Sequence, residues 1–113
     1  MHELSIAYSI VQAADQAAVE ANIPHVDAVH LVLGALSGVV KEALLFSYDI
    51  ATQGTRLEGS RLEIRENPVV VYCSTCQKEQ TLPTIQRFRC PTCDTPCMDI
   101  RQGKELEIVG LEA

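Results

Sequence analysis

Arg61-Leu62-Glu63-Ile64-Arg65-Glu66 alternates charged and apolar side chains without a break, and Lys104-Glu105-Leu106-Glu107-Ile108-Val109 repeats the pattern through Leu106 and Ile108. Successive side chains of a strand point to opposite faces, so each segment reads as a strand with one wet face. Two such strands far apart in sequence are best reconciled as neighbours in one sheet, which makes the chain between them an excursion from it. Pro68 opens the excursion, Gly103 closes it, and all five cysteines lie inside. The excursion is poor in large apolar residues, so metal has to replace core there.

Outward from these strands, Val26 to Leu33 is rich in β-branched residues and reads as the third strand. It places Val29, Leu31 and Leu33 on one face and Ala28, His30 and Val32 on the other. From Glu3 to Ala21 apolar residues fall at helical spacing, with Leu4, Tyr8, Val11, Ala14 and Ala18 on one side and Ile6, Ile10, Ala13 and Ala17 beside them. Asn22 and Pro24 stop that helix. A second helix runs from about Val39 to Thr52, burying Val40, Leu44 and Tyr48 together with Leu45, Phe46 and Ile50, and Gly54 stands where a C-terminal cap belongs. The expected fold is α+β: a three-stranded sheet covered by two helices on one face, with an inserted zinc-ribbon domain. Residues 1–67 plus 103–113 form the α/β domain in this reading, and 68–102 the ribbon.

Composition bounds what such a chain can do. At 113 residues there is room for one compact domain, or for a modest domain with a small metal-stapled insert. Apolar residues make up 47% but aromatic ones only 4%, so burial must come from Leu, Ile, Val and Ala. A formal charge of -6 with scattered basic residues opposes nucleic acid as a partner. The start lacks a basic export region, and no run of 18 apolar residues offers a membrane span. The expected compartment is the cytosol, where cysteines read as metal ligands more readily than as disulfides.

Cys73-x-x-Cys76 and Cys90-x-x-Cys93 are paired knuckles separated by thirteen residues, enough for a strand, a turn and a return strand. Strand-like Val69 to Tyr72 and Thr84 to Arg89 flank them. Two residues between cysteines let both sulfurs reach one tetrahedral ion at about 2.3 Å, and two knuckles complete a shell of four thiolates. A closed shell leaves no position for substrate, which argues for one structural Zn2+ per chain. Iron in a rubredoxin-like site is the alternative, and red protein would reveal it. Cys97, the odd thiol, reads as a bystander.

His2 follows the terminal residue directly. The Met1 amine, the His2 amide nitrogen and the His2 imidazole can reach one ion, with either the Glu3 amide or the Glu3 carboxylate completing a four-coordinate set. Nitrogen-rich tetragonal geometry suits Ni2+ or Cu2+ and not magnesium or calcium. Taken alone, a histidine at a frayed chain end is the simpler reading of the same residues. His25, in a connection, and His30, on a strand, read as surface and sheet-face residues.

Read together, several segments resemble the HypA/HybF family of hydrogenase-maturation nickel chaperones. They are Met1-His2-Glu3-Leu4, Val32-Leu33-Gly34-Ala35-Leu36-Ser37, Phe46-Ser47-Tyr48-Asp49, Gly54-Thr55 with Glu58-Gly59, both knuckles, and Gly103-Lys104-Glu105-Leu106. The resemblance covers essentially the whole chain in the family's order. It implies nickel bound at the N-terminus through the Met1 backbone amine and His2 with Glu3 in support, and zinc on Cys73, Cys76, Cys90 and Cys93. It also implies delivery of nickel, with a HypB-type GTPase, into the large subunit of a [NiFe] hydrogenase. No nucleophile elbow, phosphate-cradling loop or paired carboxylates suggest turnover, so no enzyme is expected, and the chain is expected as a monomer or weak homodimer. Family knuckles often carry Gly after the second cysteine, where a positive φ costs it little; this chain has Gln77 and Asp94. The competing readings are a zinc-ribbon adaptor without an N-terminal metal role and a rubredoxin-like electron carrier.

Overall fold

The computed structural model describes residues 2–113. Helix α1 (Glu3–Glu20) is followed by strand β1 (Ala28–Gly34), helix α2 (Lys41–Ala51) and strand β2 (Arg61–Asn67). Strands β3 (Val70–Cys73), β4 (Lys78–Thr81) and β5 (Ile100–Gln102) come next, and β6 (Leu106–Glu112) closes the chain. The strands form two three-stranded sheets, ordered β2-β1-β6 and β4-β3-β5. One compact unit comprises the chain up to Leu31 with Val39–Arg65 and Glu107–Ala113, and the other Val32–Gly38 with Glu66–Leu106.

Backbone hydrogen bonds fix the direction of the first sheet. The Asp27 amide donates to Glu112 O and the Gly34 amide to Glu105 O, so β6 runs antiparallel to β1. The Arg61 amide donates to Asp27 O and the Ala35 amide to Asn67 O, partners that advance together, so β2 runs parallel to β1. A parallel pair needs a crossover, and α2 is that crossover. The two alternating segments do share one sheet, but they are not neighbours as the sequence suggested: β1 stands between them, because its parallel crossover to β2 and antiparallel pairing with β6 use both of its edges.

Both helices bury their stripes in a single core. Ala7, Ile10, Val11, Ala14 and Ala18 of α1 meet Leu44, Tyr48 and Ala51 of α2, Val29 and Leu31 of β1, and Leu62 of β2. Small side chains on α1 allow α2 a close approach. The helix ends where Asn22 turns left-handed at φ 58°, letting the Ile23 amide close onto Ala18 O at 2.8 Å. That is a glycine-type C-cap made with asparagine; Pro24 stands beyond the end already made. Tyr48 is fully buried, and its hydroxyl shares a 2.6 Å hydrogen bond with Ser60 Oγ. Burial raises the Tyr48 pKa, more than the Ser60 bond lowers it.

Several expected core residues lie at the surface instead. Leu4, Tyr8, Val40, Phe46 and Ile50 are exposed, Phe46 at 71%. Leu4, Tyr8 and Ile50 lie at the margins of the buried stripes, Val40 precedes the first turn of α2, and Phe46 stands on the solvent side of α2, across from Leu44, Tyr48 and Ala51. Strand β1 departs the other way: apart from His30, both of its faces are buried, because it is the central strand.

Gly34 has a steric duty. A Cβ there would come within 2.2 Å of Gly103 O, where the chain leaves β1 and the Leu36 amide donates to that same oxygen. Gly54, at φ 78°, has open space around it. Gly34→Ala is expected to lower unfolding stability by more than about 2 kcal/mol, and Gly54→Ala by about 1 kcal/mol from backbone strain alone. Urea midpoints check the order, and a milder Gly34→Ala would contradict the close-approach account.

Candidate metal centre

Strand β3 is the axis of the second sheet, paired antiparallel with β4 from Val70↔Thr81 to Cys73↔Lys78 and with β5 at Val70↔Gln102. The first knuckle is the turn of the β3–β4 hairpin: Cys73 ends β3, and Cys76 stands in the loop before Lys78. Turning so tightly requires a left-handed residue, and Gln77 supplies it at φ 55°. Asp94 does the same after the second knuckle at φ 61°. Both positions where the family often has glycine thus adopt the conformation that favours glycine. Gln77 tolerates it less well, at a cost of about 1 kcal/mol, while Asp is a residue that visits this region.

Thr84 to Arg89 is not the return strand its composition suggests. It follows Pro83 as a turn and open segment, touching β structure only through the isolated Arg89–Pro96 bridge. β3 finds its partners in β4, which returns directly after the first knuckle, and in β5, which comes after the second.

The four sulfurs of Cys73, Cys76, Cys90 and Cys93 all lie within 4.8 Å of one another. Cys73 Sγ stands 3.5 Å from Cys93 Sγ, and Cys76 Sγ 3.8 Å from Cys90 Sγ. A tetrahedron with metal–sulfur bonds of about 2.3 Å has edges of about 3.8 Å, so the four residues fit a tetrathiolate ion. Cys73 and Cys90 are buried, Cys76 partly buried and Cys93 exposed.

Polar groups around the sulfurs prepare them as ligands. The Cys76 amide donates to Cys73 Sγ at 3.4 Å, and this lowers the Cys73 pKa. Thr95 Oγ1 lies 3.1 Å from Cys93 Sγ and 3.1 Å from Thr75 Oγ1, tying the two knuckles together; its one proton serves the Cys93 thiolate when that sulfur is ionised. The Thr95 hydroxyl first, and its backbone amide second, hold the Cys93 pKa down at about 6. Cys76 goes the other way, to about 12, because its thiol hydrogen-bonds to Cys93 and is partly desolvated. Sharing protons in this way is what clustered thiols do before a cation replaces the protons. The outer residues Thr75 and Thr95 were not found from the sequence. The signal the sequence carries is a threonine two places after Cys73 and another two places after Cys93.

Cys97 lies outside the four-sulfur group. It is buried, its thiol donates to Thr95 O at 3.2 Å, and burial followed by the neighbouring Cys73 raises its pKa. The other expected site residues lie at the start of α1. His2 is exposed, extended at φ -94° and ψ 115°, and makes no side-chain cap to the helix. Glu3, in the first turn, is partly exposed, and its Oε2 accepts a hydrogen bond from the Val40 amide at 3.4 Å. The Met1 amine lies outside the described residues. His25 bonds to Asp27 at 3.3 Å and to Glu58 O at 3.2 Å, and His30 to Glu112 at 2.5 Å, so both imidazoles are held by protein partners. No helix among the described residues is long and apolar enough to cross a membrane.

A family model described as hydrogenase/urease nickel incorporation, metallochaperone, HypA matches residues 1–113. The chain belongs to the HypA family. A hydrogenase maturation factor HypA of Roseiflexus is 54% identical over 112 residues, covering 99% of this chain and 91% of its own. One of Chloroflexus aurantiacus is 55% identical over 112 residues, covering 99% and 98%. The solution structure of the Ni metallochaperone HypA from Helicobacter pylori superposes with a TM-score of 0.67 at 20% identity, over 99% of this chain and 97% of that one, so the fold is shared. In this HypA chain the four-cysteine cluster is built on the end of β3, which carries Cys73, and on the loops that carry Cys76, Cys90 and Cys93.

Removing the Thr95 hydroxyl tests the outer groups. Without that donor the Cys93 pKa rises, protons compete with the metal more strongly, and metal leaves at a higher pH. Thr95→Val is expected to weaken metal retention against a chromophoric chelator about tenfold and to shift half-release upward in pH. An unchanged release curve would show that the hydroxyl does not act on the thiolate.

Proposed function

We propose that this chain is a nickel metallochaperone that binds Ni2+ at its N-terminus and delivers it during maturation of [NiFe] hydrogenase. The Met1 amine, the His2 amide nitrogen and the His2 imidazole are the core ligands in this reading, with Glu3 in support. The four cysteines carry a structural Zn2+, and the zinc plays no part in delivery. Residues 1–67 with 103–113 serve as the nickel domain and 68–102 as the zinc ribbon. Delivery involves a HypB-type GTPase and the hydrogenase large subunit in the cytoplasm, without catalytic turnover by this chain.

Membership of the HypA family over all 113 residues is the observation that carries the proposal. The chemistry of the two sites agrees with it. A carrier must release its cargo, which suits an exposed site with few ligands; His2 is exposed and not spent on capping α1. A four-thiolate shell has no open position for exchange, which suits a permanent ion. Zinc fits that shell better than iron for a role without redox chemistry.

Calorimetric titration of protein whose chain begins at Met1, beside a His2→Ala variant, tests the reading. Nickel binding by the native chain and its loss in His2→Ala, with zinc content and far-UV circular dichroism retained, is the expected result. Equal nickel binding by both proteins would leave a zinc-ribbon adaptor as the better description.

A further inference from the structure

We propose that the backbone amide of Val40, at the start of α2, is a positioning group for the Glu3 carboxylate in nickel binding. The inference rests on the nickel site proposed above and adds to it a part that no ligand motif contains.

Val40 is the N-cap of α2, extended at φ -85° and ψ 117°, and its carbonyl accepts the first bond of the helix from the Leu44 amide at 2.9 Å. Its own N–H points away from the helix interior and has no place in the intrahelical ladder. The Glu3 carboxylate reaches that N–H across the α1–α2 contact, Oε2 to nitrogen, at 3.4 Å. Negative charge is favoured there, because the dipole of α2 presents its positive end. The bond occupies Oε2 and leaves Oε1 to meet a cation.

A glutamate side chain is otherwise one of the most mobile, and each torsion it must fix on binding lowers affinity. Tethering one oxygen to a fixed backbone amide removes much of that freedom before nickel arrives. Carboxylates that ligate metals are commonly oriented by such outer hydrogen bonds, and losing one weakens binding about 10- to 100-fold. The Val40 side chain itself is 56% exposed and takes no part in the bond, so side chain and amide can be varied separately.

Proline at position 40 deletes the N–H while its ring suits the φ already present. Nickel titrations of the full chain beginning at Met1 should show Val40→Ala binding like the native protein and Val40→Pro binding about tenfold more weakly. In a Glu3→Ala background the same Val40→Pro change should have no further effect. Native affinity in Val40→Pro, or an equal loss with and without Glu3, would overturn the proposal. If the native chain fails to bind nickel, or His2→Ala binds as well as it does, the underlying site is wrong; intact His2 dependence with an indifferent Val40→Pro sinks this inference alone. Should Val40→Pro not fold by circular dichroism, hydrogen exchange at the Val40 amide decides. Slow exchange in the native chain, slower still with nickel and fast in Glu3→Ala, supports the role; identical rates in all three refute it.

Discussion

Convergence of four sulfurs within 4.8 Å is the constraint on which the second unit depends. Its strands are only four, four and three residues long, and sheets of that size are marginal without help. Of its six buried core members, two are ligand cysteines, Cys73 and Cys90, and a third is Cys97, beside Val69, Val71 and Leu82; Cys76 packs partly buried against them. An ion held by four thiolates therefore occupies the place of a hydrophobic centre, and its binding energy is folding energy for the ribbon. The two left-handed residues, Gln77 and Asp94, are what the knuckles require of the backbone in return. A chain without such an ion would have little reason to hold either in place.

The first unit needs no such device. Two helices close on a sheet whose central strand is flanked on both sides, and the core runs from Ala7 through Tyr48 to Leu62 without a cysteine. Because that unit is stable by ordinary burial, the start of α1 can remain exposed without loosening the fold. The His2 side chain makes no capping bond to α1, and the Glu3 carboxylate accepts a hydrogen bond from the Val40 backbone amide. In the nickel site proposed above, such residues would gain and lose an ion without unfolding anything, which is the property a delivery protein needs.

How much of this was legible depended on whether the governing contact was local. Arg61–Glu66 announced itself because β2 is an edge strand with one wet face, whereas β1 shows no alternation because, His30 apart, the residues on both of its faces are buried. The cysteine spacing spoke for the metal centre because both sulfurs of a knuckle are fixed by a few residues of backbone. Phe46 and Ile50 misled, since the width of an apolar stripe does not say how much partner surface awaits it. Thr84–Arg89 misled as well: its residues suit a strand, but β3 had already found both neighbours. The Thr75–Thr95 link and the Val40–Glu3 bond could not be read at all, because each joins residues brought near only by folding.

The central claim is a division of labour between a releasable ion near the start of the chain and an enclosed ion on the four cysteines. Native mass spectrometry of protein carrying one zinc and one nickel, followed during addition of EDTA, tests it most directly. The account predicts that nickel departs first and leaves a folded, zinc-bound chain. Zinc leaving before nickel, or nickel taking over the four-sulfur site, would contradict it.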